Sequence, residues 1–325
     1  MKKAAFYTLG CKVNQYETEA MAELFADSGY EIKEFTEVAD VYVINTCSVT
    51  NMGDRKSRQI IRRAKKLNPN AVIAVTGCYA QTAPDEVLAI EGVNLVLGTK
   101  DRKNIVTLVE ELNTESNINH VSDIMSNHEF EELQIKQYSN RTRAFIKIQE
   151  GCNQFCSYCI IPYARGPVRS RAKDDVVREI KELAHNGFKE IILVGIHVAS
   201  YGVDLGNTTL ESLIMDVDKI DGVERIRLSS IEPMTLNQEF IDSIKDSKKL
   251  CHHFHISLQS GCDETLKRMN RKYTTAQFKG IVDGLREAFD DVAITTDIMV
   301  GFPDESDEEF NKTVEFVRNI KFADA

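Results

Sequence analysis

Six cysteines in two sets of three are the residues best able to do chemistry here. Cys152, Cys156 and Cys159 stand in Gly-Cys-Asn-Gln-Phe-Cys-Ser-Tyr-Cys, a C-x3-C-x2-C spacing within nine residues. Three soft thiolates this close in sequence suit one face of a small inorganic cluster. A 4Fe-4S cluster has four irons, so three thiolates leave one iron open to a small molecule. A zinc site or three unrelated thiols are the alternatives, but structural zinc takes four ligands and usually pairs two C-x2-C elements. The second set is Cys11, Cys47 and Cys78, ending Tyr7-Thr-Leu-Gly-Cys11, Val43-Ile-Asn-Thr-Cys47 and Val75-Thr-Gly-Cys78. Each follows a short β-rich run. Should those runs be parallel strands, their carboxyl ends share one sheet edge, the crevice where such sheets bind ligands. A second three-thiolate site is the economical reading, and three buried apolar cysteines are the alternative. Cys251 and Cys262 read as structural thiols. His252, His253 and His255 beside Cys251 fall on alternating strand faces, which argues against a metal there.

The elements that must position these residues are legible as alternating patterns. Short apolar runs at 4–9, 31–35, 41–45, 71–76 and 95–97 alternate with helical patterns near 17–28, 52–68, 84–90 and 102–112. That alternation predicts an open α/β sheet over residues 1–120. The polar stretch from Asn113, rich in Asn, Ser and Glu, predicts a linker over 121–140. From 141 longer units follow, with strands at 144–149, 190–195, 225–230, 253–258 and 293–300. Helices are expected at 174–186, 210–220, 236–247, 263–288 (broken near 270–273) and 307–320. Repeated βα units predict a second α/β domain over 141–325, a partial (β/α)6 barrel lacking its last strand. The chain stops at Ala325, where a sixth strand would begin, so a fragment of a longer protein is expected.

Composition narrows the partners. Hydrophobic residues are 42% and charged residues 28% of 325, which suits a globular chain and excludes disorder, collagen and coiled coil. No apolar run approaches the roughly 18–20 residues that cross a bilayer. Ala4–Leu9 is too short for the hydrophobic region of a signal peptide, so the chain reads as cytoplasmic. Eight cysteines there point to metal or redox work rather than disulfides. Fifty acidic against forty basic residues give a net charge of −10, so a polyanion must meet a local basic patch. The helix over 52–68 offers one. Arg55, Arg58, Arg62 and Lys65 form a stripe, flanked by Lys56, Arg63 and Lys66, with no acidic residue between Arg55 and Lys66. A solvated charged face is the alternative, and phosphate contact the preferred reading. Arg165, Arg169 and Arg171 form a second basic group.

The C-x3-C-x2-C motif opening a βα barrel resembles the radical S-adenosylmethionine enzymes. With the N-terminal cysteines added, the whole chain resembles their methylthiotransferases. Within that family, Gly10-Cys11-Lys12-Val13-Asn14-Gln15-Tyr16-Glu17 is similar to the branch acting on N6-threonylcarbamoyladenosine in tRNA. Thr76-Gly-Cys78-Tyr79-Ala80-Gln81, Ile148-Gln-Glu-Gly-Cys152, Cys159-Ile-Ile-Pro162, Arg165-Gly166 and Arg169-Ser-Arg171 also match. The resemblance implies radical methylthiolation of adenine C2 beside the anticodon, at tRNA position 37, the isopentenyladenosine and ribosomal-protein branches being the alternatives. A non-catalytic iron–sulfur sensor that binds RNA is the alternative from another class.

The resemblance also implies the cofactors and their division of labour. Two 4Fe-4S clusters sit on Cys11, Cys47, Cys78 and on Cys152, Cys156, Cys159. One S-adenosylmethionine methylates a sulfur carried by the first; another, at the second, yields the radical that attacks an unactivated C2–H. The partners implied are the tRNA anticodon stem-loop and a reductant of the flavodoxin type, with no membrane. A small C-terminal RNA-binding β domain, usual in the family, has no counterpart in this sequence. Barrel strand ends should face S-adenosylmethionine: Gly195 and Gly301 through close backbone approach, Glu232 and Gln259 through its ribose hydroxyls or amine. Gly195-Ile-His197 stands where many radical enzymes have Gly-Gly-Glu, so that amine ligand is not carried over. No catalytic acid or base is assigned.

Overall fold

The computed structural model describes residues 1–48, 50–112, 117–133, 135 and 143–325. The chain divides into two compact units. The first holds Met1–Ser139, Gly151–Asn153 and Ile160–Arg169; the second holds Asn140–Glu150, Gln154–Cys159 and Ser170–Ala325.

The first unit is built on six strands: β1 (Lys3–Thr8), β2 (Glu31–Lys33), β3 (Val41–Thr46), β4 (Val72–Gly77), β5 (Leu95–Leu97) and β6 (Ile118–His120). They form one parallel sheet in the order β2-β1-β3-β4-β5-β6. Among the described residues six helices accompany it: α1 (Lys12–Asp27), α2 (Asn51–Leu67), α3 (Cys78–Thr82), α4 (Pro84–Leu88), α5 (Ile105–Glu111) and α6 (Ile161–Arg165). Alternation along the strands sends neighbouring side chains to opposite faces. Tyr42, Ile44, Ile73 and Val75 pack with Ile61 and Ala64 of α2 and Val87 of α4. Val41, Val43 and Ala74 pack with Met21 and Phe25 of α1 and Ile105 of α5. A sheet covered on both faces accounts for strands that read as continuous apolar runs. Its order reverses between β1 and β3, the switch point at which open α/β sheets leave a crevice.

The second unit carries β7 (Arg143–Glu150), β8 (Arg169–Ser170, whose first residue belongs to the first unit), β9 (Glu190–Gly195), β10 (Arg225–Leu228), β11 (His253–His255) and β12 (Ala293–Thr295). The order β10-β9-β7-β8 makes one sheet, and β11-β12 a second. Isolated parallel bridges extend the series: Ile226 with Leu250, Ile231 with Ile256, Gln259 with Ile298, and Thr295 with Asp324. The helices are α7 (Lys173–His185), α8 (Leu210–Asp218), α9 (Gln238–Ile244), α10 (Asp263–Arg268), α11 (Thr275–Ala288) and α12 (Asp307–Ile320). The expected α/β class and the succession of parallel βα units are both present. The break between α10 and α11 falls where expected, with Asn270 at φ 57. Four elements were absent from the expectation: β6, β8, α3 and α6. Part of the stretch read as linker packs inside the first unit, where Gln81 Nε2 donates to the Ser122 carbonyl at 2.9 Å and Glu131 pairs with Arg102 at 2.8 Å. Other parts of it, 134 and 136–140, lie outside the described residues.

Candidate active site

The N-terminal cysteines follow three adjacent strands. Cys11 is the N-cap of α1 after β1, Cys47 directly follows β3, and Cys78 opens α3 after β4. The register joins Thr8 with Asn45 and Thr46 with Gly77, so these ends lie level along one edge. The backbone packs closely there. A Cβ on Gly10 would stand 3.1 Å from Cys47 Sγ, and one on Gly77 would stand 2.4 Å from the Thr46 carbonyl oxygen. Only glycine fits at both positions. The thiols run from exposed Cys11 through half-buried Cys47 to buried Cys78. Burial pushes the Cys78 thiol up in pKa; the guanidinium of Arg165 opposes this, and the nearby Cys11 and Cys47 add to the rise. The level strand ends and the close approach of Gly10 to Cys47 put the three thiols in one locality. Their donor set is all sulfur, which suits iron–sulfur chemistry.

A buried polar network sits behind these thiols. Asn14 donates from Nδ2 to the Leu9 carbonyl at 2.7 Å and the Thr46 carbonyl at 2.9 Å, which turns its Oδ1 toward Cys11 Sγ at 3.7 Å. Arg165 Nη2 donates to the same Oδ1 at 2.5 Å and Arg165 Nη1 to Glu17 Oε1 at 2.6 Å, while Arg165 Nε reaches Cys78 Sγ at 3.3 Å. Arg102 Nη1 meets Glu17 from another side at 2.5 Å, and its Nε holds Glu131 at 2.8 Å. All of these residues belong to the first unit. Sequence reading gave Asn14 and Glu17 no role, although both stand in the motif following Cys11.

The second basic group of the sequence, Arg165, Arg169 and Arg171, is buried. They are 0%, 1% and 0% exposed. Arg169 donates to the carbonyls of Arg165 and Pro167, at 3.0 Å each, and Arg171 is paired with Glu179. A charge count along the sequence cannot register carboxylates supplied by distant elements.

The loop of the second cysteine set follows β7. Cys156 and Cys159 belong to the second unit and Cys152 to the first, where its amide donates to the Gly166 carbonyl at 3.0 Å. Residues 154–159 are pinned to the end of α10. Ser157 donates its amide to the Met269 carbonyl and its hydroxyl to the Arg268 carbonyl, and Asn270 Nδ2 donates to the Phe155 carbonyl at 2.8 Å. Those bonds hold Phe155 at a positive φ of 49. Arg271 donates to Cys156 Sγ at 3.4 Å and lies 3.7 Å from Glu232. Burial pushes the Tyr158 phenol up to about 12, with Arg271 opposing.

Of the residues expected to face S-adenosylmethionine, Gly195 ends β9, Glu232 and Gln259 lie four residues beyond β10 and β11, and Gly301 lies six beyond β12. Glu232 is buried, which pushes its carboxyl up against the opposing pull of Arg271 and the Met234 amide. Gly195 closes β9 against the Gln149 side chain, whose Oε1 accepts from the His197 amide at 2.7 Å. Gln259 sits at φ 67 and Gly301 at φ 70. Gly301 has no atom near its Cβ position, so its glycine answers to the turn and not to close contact. Sequence reading gave His197 no role of its own. Burial, then Arg271, holds its imidazole down to about 4, and its Nε2 is buried without a partner among the described residues. Among the described residues no three His, Cys, Asp or Glu side chains gather as ligands to a single metal ion. The histidines near Cys251 make other contacts: His255 with Thr295 and Asp297, and His252 against the Phe289 ring.

The basic helix is α2, N-capped by Thr50, whose hydroxyl accepts from the Gly53 amide at 3.1 Å. Arg55 and Arg62 are exposed. Arg58 is tied to Glu86 of α4 at 3.0 Å and to the Tyr79 hydroxyl at 2.8 Å, and Lys65 donates to the Pro69 carbonyl. One member of the stripe thus has a counter-charge from another element. Among the described residues no helix is long and apolar enough to cross a membrane.

Comparison with known proteins finds two family matches. Residues 146–317 match the radical SAM superfamily, and residues 3–98 match a family described as uncharacterized protein family UPF0004. The chain is 49% identical to the threonylcarbamoyladenosine tRNA methylthiotransferase MtaB of Bacillus subtilis, over 100% of this chain and 72% of that protein. It is 42% identical to the protein of the same name from Aquifex aeolicus, over 98% and 78%. A tRNA-2-methylthio-N(6)-dimethylallyladenosine synthase of Thermoanaerobacter pseudethanolicus is 39% identical over 97% of this chain and 68% of its own. Among solved structures, the radical S-adenosylmethionine methyltransferase TsrM from Kitasatospora setae aligns with a TM-score of 0.71. It covers 99% of this chain and 72% of its own at 15% identity, a likeness of fold alone. With identity of this order along the full chain, and with both cysteine sets in place, the chain belongs to the tRNA methylthiotransferase family of the radical S-adenosylmethionine superfamily.

Proposed function

We propose that this chain transfers a methylthio group to C2 of N6-threonylcarbamoyladenosine at position 37 of tRNA, beside the anticodon. The observation that carries the reading is the placement of Cys11, Cys47 and Cys78 at three adjacent strand ends about a sheet switch point, in a chain that also holds C-x3-C-x2-C. The family works with S-adenosylmethionine and two 4Fe-4S clusters. Those groups supply the radical and the sulfur. The residues of this chain bind, orient and seclude them: Cys11, Cys47 and Cys78 for one cluster, and Cys152, Cys156 and Cys159 for the other. Glu232 and Gln259, in the segments that follow β10 and β11, fit the polar groups of S-adenosylmethionine, with Gly195 and Gly301 beside them in the reading. Arg55, Arg58, Arg62 and Lys65 on α2 fit phosphates of the anticodon stem-loop, Arg58 once released from Glu86. A flavodoxin-type reductant supplies electrons, and the setting is the cytoplasm.

The two most similar of the relatives named, at 49% and 42%, are threonylcarbamoyladenosine enzymes, against 39% for the dimethylallyladenosine synthase, over 97–100% of this chain. The test is mass spectrometry of tRNA nucleosides from a deletion strain with and without the gene restored. Loss and recovery of 2-methylthio-N6-threonylcarbamoyladenosine supports the proposal; unchanged levels of it refute the proposal. In the purified, anaerobically reconstituted protein, Ala at Cys152, Cys156 or Cys159 should abolish 5′-deoxyadenosine formation. Ala at all of Cys11, Cys47 and Cys78 should remove about half the iron and all methylthio product while leaving 5′-deoxyadenosine formation intact.

A further inference from the structure

We infer that Arg165 is a positioning residue of the N-terminal thiol site, where it raises the reduction potential of the cluster held by Cys11, Cys47 and Cys78. This rests on the assignment of a cluster to those cysteines. Arg165 is fully buried, and its planar fork is committed on every side. Glu17 accepts from Nη1 at 2.6 Å and from Nη2 at 3.1 Å; Asn14 Oδ1 accepts from Nη2 at 2.5 Å. Those bonds leave the Nε–H aimed at Cys78 Sγ, 3.3 Å away. Asn14 is itself fixed by two carbonyls, and Glu17 is fixed by Arg102. The orientation of the guanidinium is therefore set by groups that do not touch the sulfur.

An N–H donor and a fixed positive charge at a ligating thiolate favour the more negative state of a cluster, which is the reduced one. Removing that donor should lower the potential. The buried position strengthens the effect, because little water is present to screen it. A residue that served only to fold the unit would leave the potential unmoved once the unit was folded.

The experiment uses the full chain carrying Cys152→Ala, Cys156→Ala and Cys159→Ala, so that any iron retained belongs to the N-terminal site. Arg165→Lys keeps a charge against Glu17 but loses both the fork and the Nε–H that points at Cys78 Sγ. The pair Arg165→Gln with Glu17→Gln is the second variant, keeping an amide pair if the lysine form does not fold. Iron per chain and the EPR-monitored midpoint potential are read after anaerobic reconstitution. At the potential where the parent is half reduced, the variants should show an oxidised-to-reduced ratio about tenfold higher, equal to about 59 mV for one electron. An unchanged potential in a folded, iron-loaded variant overturns the inference. A parent background that binds no iron at all refutes the cluster assignment instead, so the two failures are distinct.

Discussion

Gly77→Ala tests the geometry that brings two cysteines together, and its cost can be worked from the structure. Gly77 ends β4 immediately before Cys78, at φ 96 and ψ −165, a region almost reserved for glycine. Holding alanine there costs about 1–3 kcal/mol. The added methyl would stand 2.4 Å from the Thr46 carbonyl oxygen, 2.5 Å from Asn45 Oδ1 and 2.7 Å from the Thr46 amide nitrogen. Two of these three atoms are backbone of β3, which can yield only by moving the strand, and overpacking of that kind costs about 1–3 kcal/mol more. The expected total is about 4 kcal/mol. Gly29→Ala is the matched control: its φ is 84, but nothing lies within 4 Å of the new methyl, so it should cost about 1 kcal/mol. Urea unfolding of the two variants measures the difference, and iron per chain measures the effect on the site. Since β3 carries Cys47 and β4 carries Cys78, separating them should lower iron retention in Gly77→Ala and leave it intact in Gly29→Ala. Equal unfolding midpoints with full iron in both variants would refute the close-approach argument.

On α2, Arg55→Glu with Arg62→Glu should weaken tRNA binding and flatten its dependence on salt by about one unit of slope per lost phosphate contact, with iron content unchanged; unaltered affinity and slope would return the helix to a solvated face. Glu86→Ala removes the partner of Arg58 and should tighten tRNA binding modestly, which a filter-binding titration at fixed salt would detect. His197 predicts a pH effect on stability. With its folded pKa near 4 against an ordinary 6.5, it stays neutral in the folded chain while the unfolded chain takes up a proton. Its contribution is complete above about pH 6.5 and is lost as pH falls towards about 4, amounting to about 3 kcal/mol. His197→Gln should flatten that part of the curve in urea unfolding at several pH values, and an unchanged curve would exclude His197 as its source.

Sequence patterns sufficed where turn residues bound a run closely or a long period develops: β5, β9 and α12 have the expected residues at both ends. The cysteines were legible as chemistry because spacing and strand-end position constrain them together. What escaped was short or made by distant partners. α3 and α6 have five residues each, less than two turns, so no amphipathic period develops. β6 is three exposed residues, Ile-Asn-His, at a sheet edge, with no buried face to shape its composition. α1 begins at Lys12 and not near Glu17, since its first turn buries Val13, Asn14 and Tyr16 around the thiol site as well as the sheet. The three arginines after the second cysteine motif look alike in a charge count. Only the fold supplies Glu17 to one of them and Glu179 to another.

The segment Ile160–Arg169 belongs to the first unit although the chain reaches it only after building β7 of the second. For a polypeptide emerging from the ribosome, that order has a consequence in time. Glu17 and Arg165 are 148 residues apart. At about 5–20 residues per second, the carboxylate waits roughly 7–30 s for its second arginine. Arg102 arrives earlier and can hold Glu17 meanwhile. The thiol edge therefore exists first with Cys11, Cys47 and Cys78 in place and the arginine beside Cys78 still unmade. Maturation of that edge is coupled to synthesis of the radical-enzyme motif, because the cysteine loop must leave the ribosome before Arg165 does.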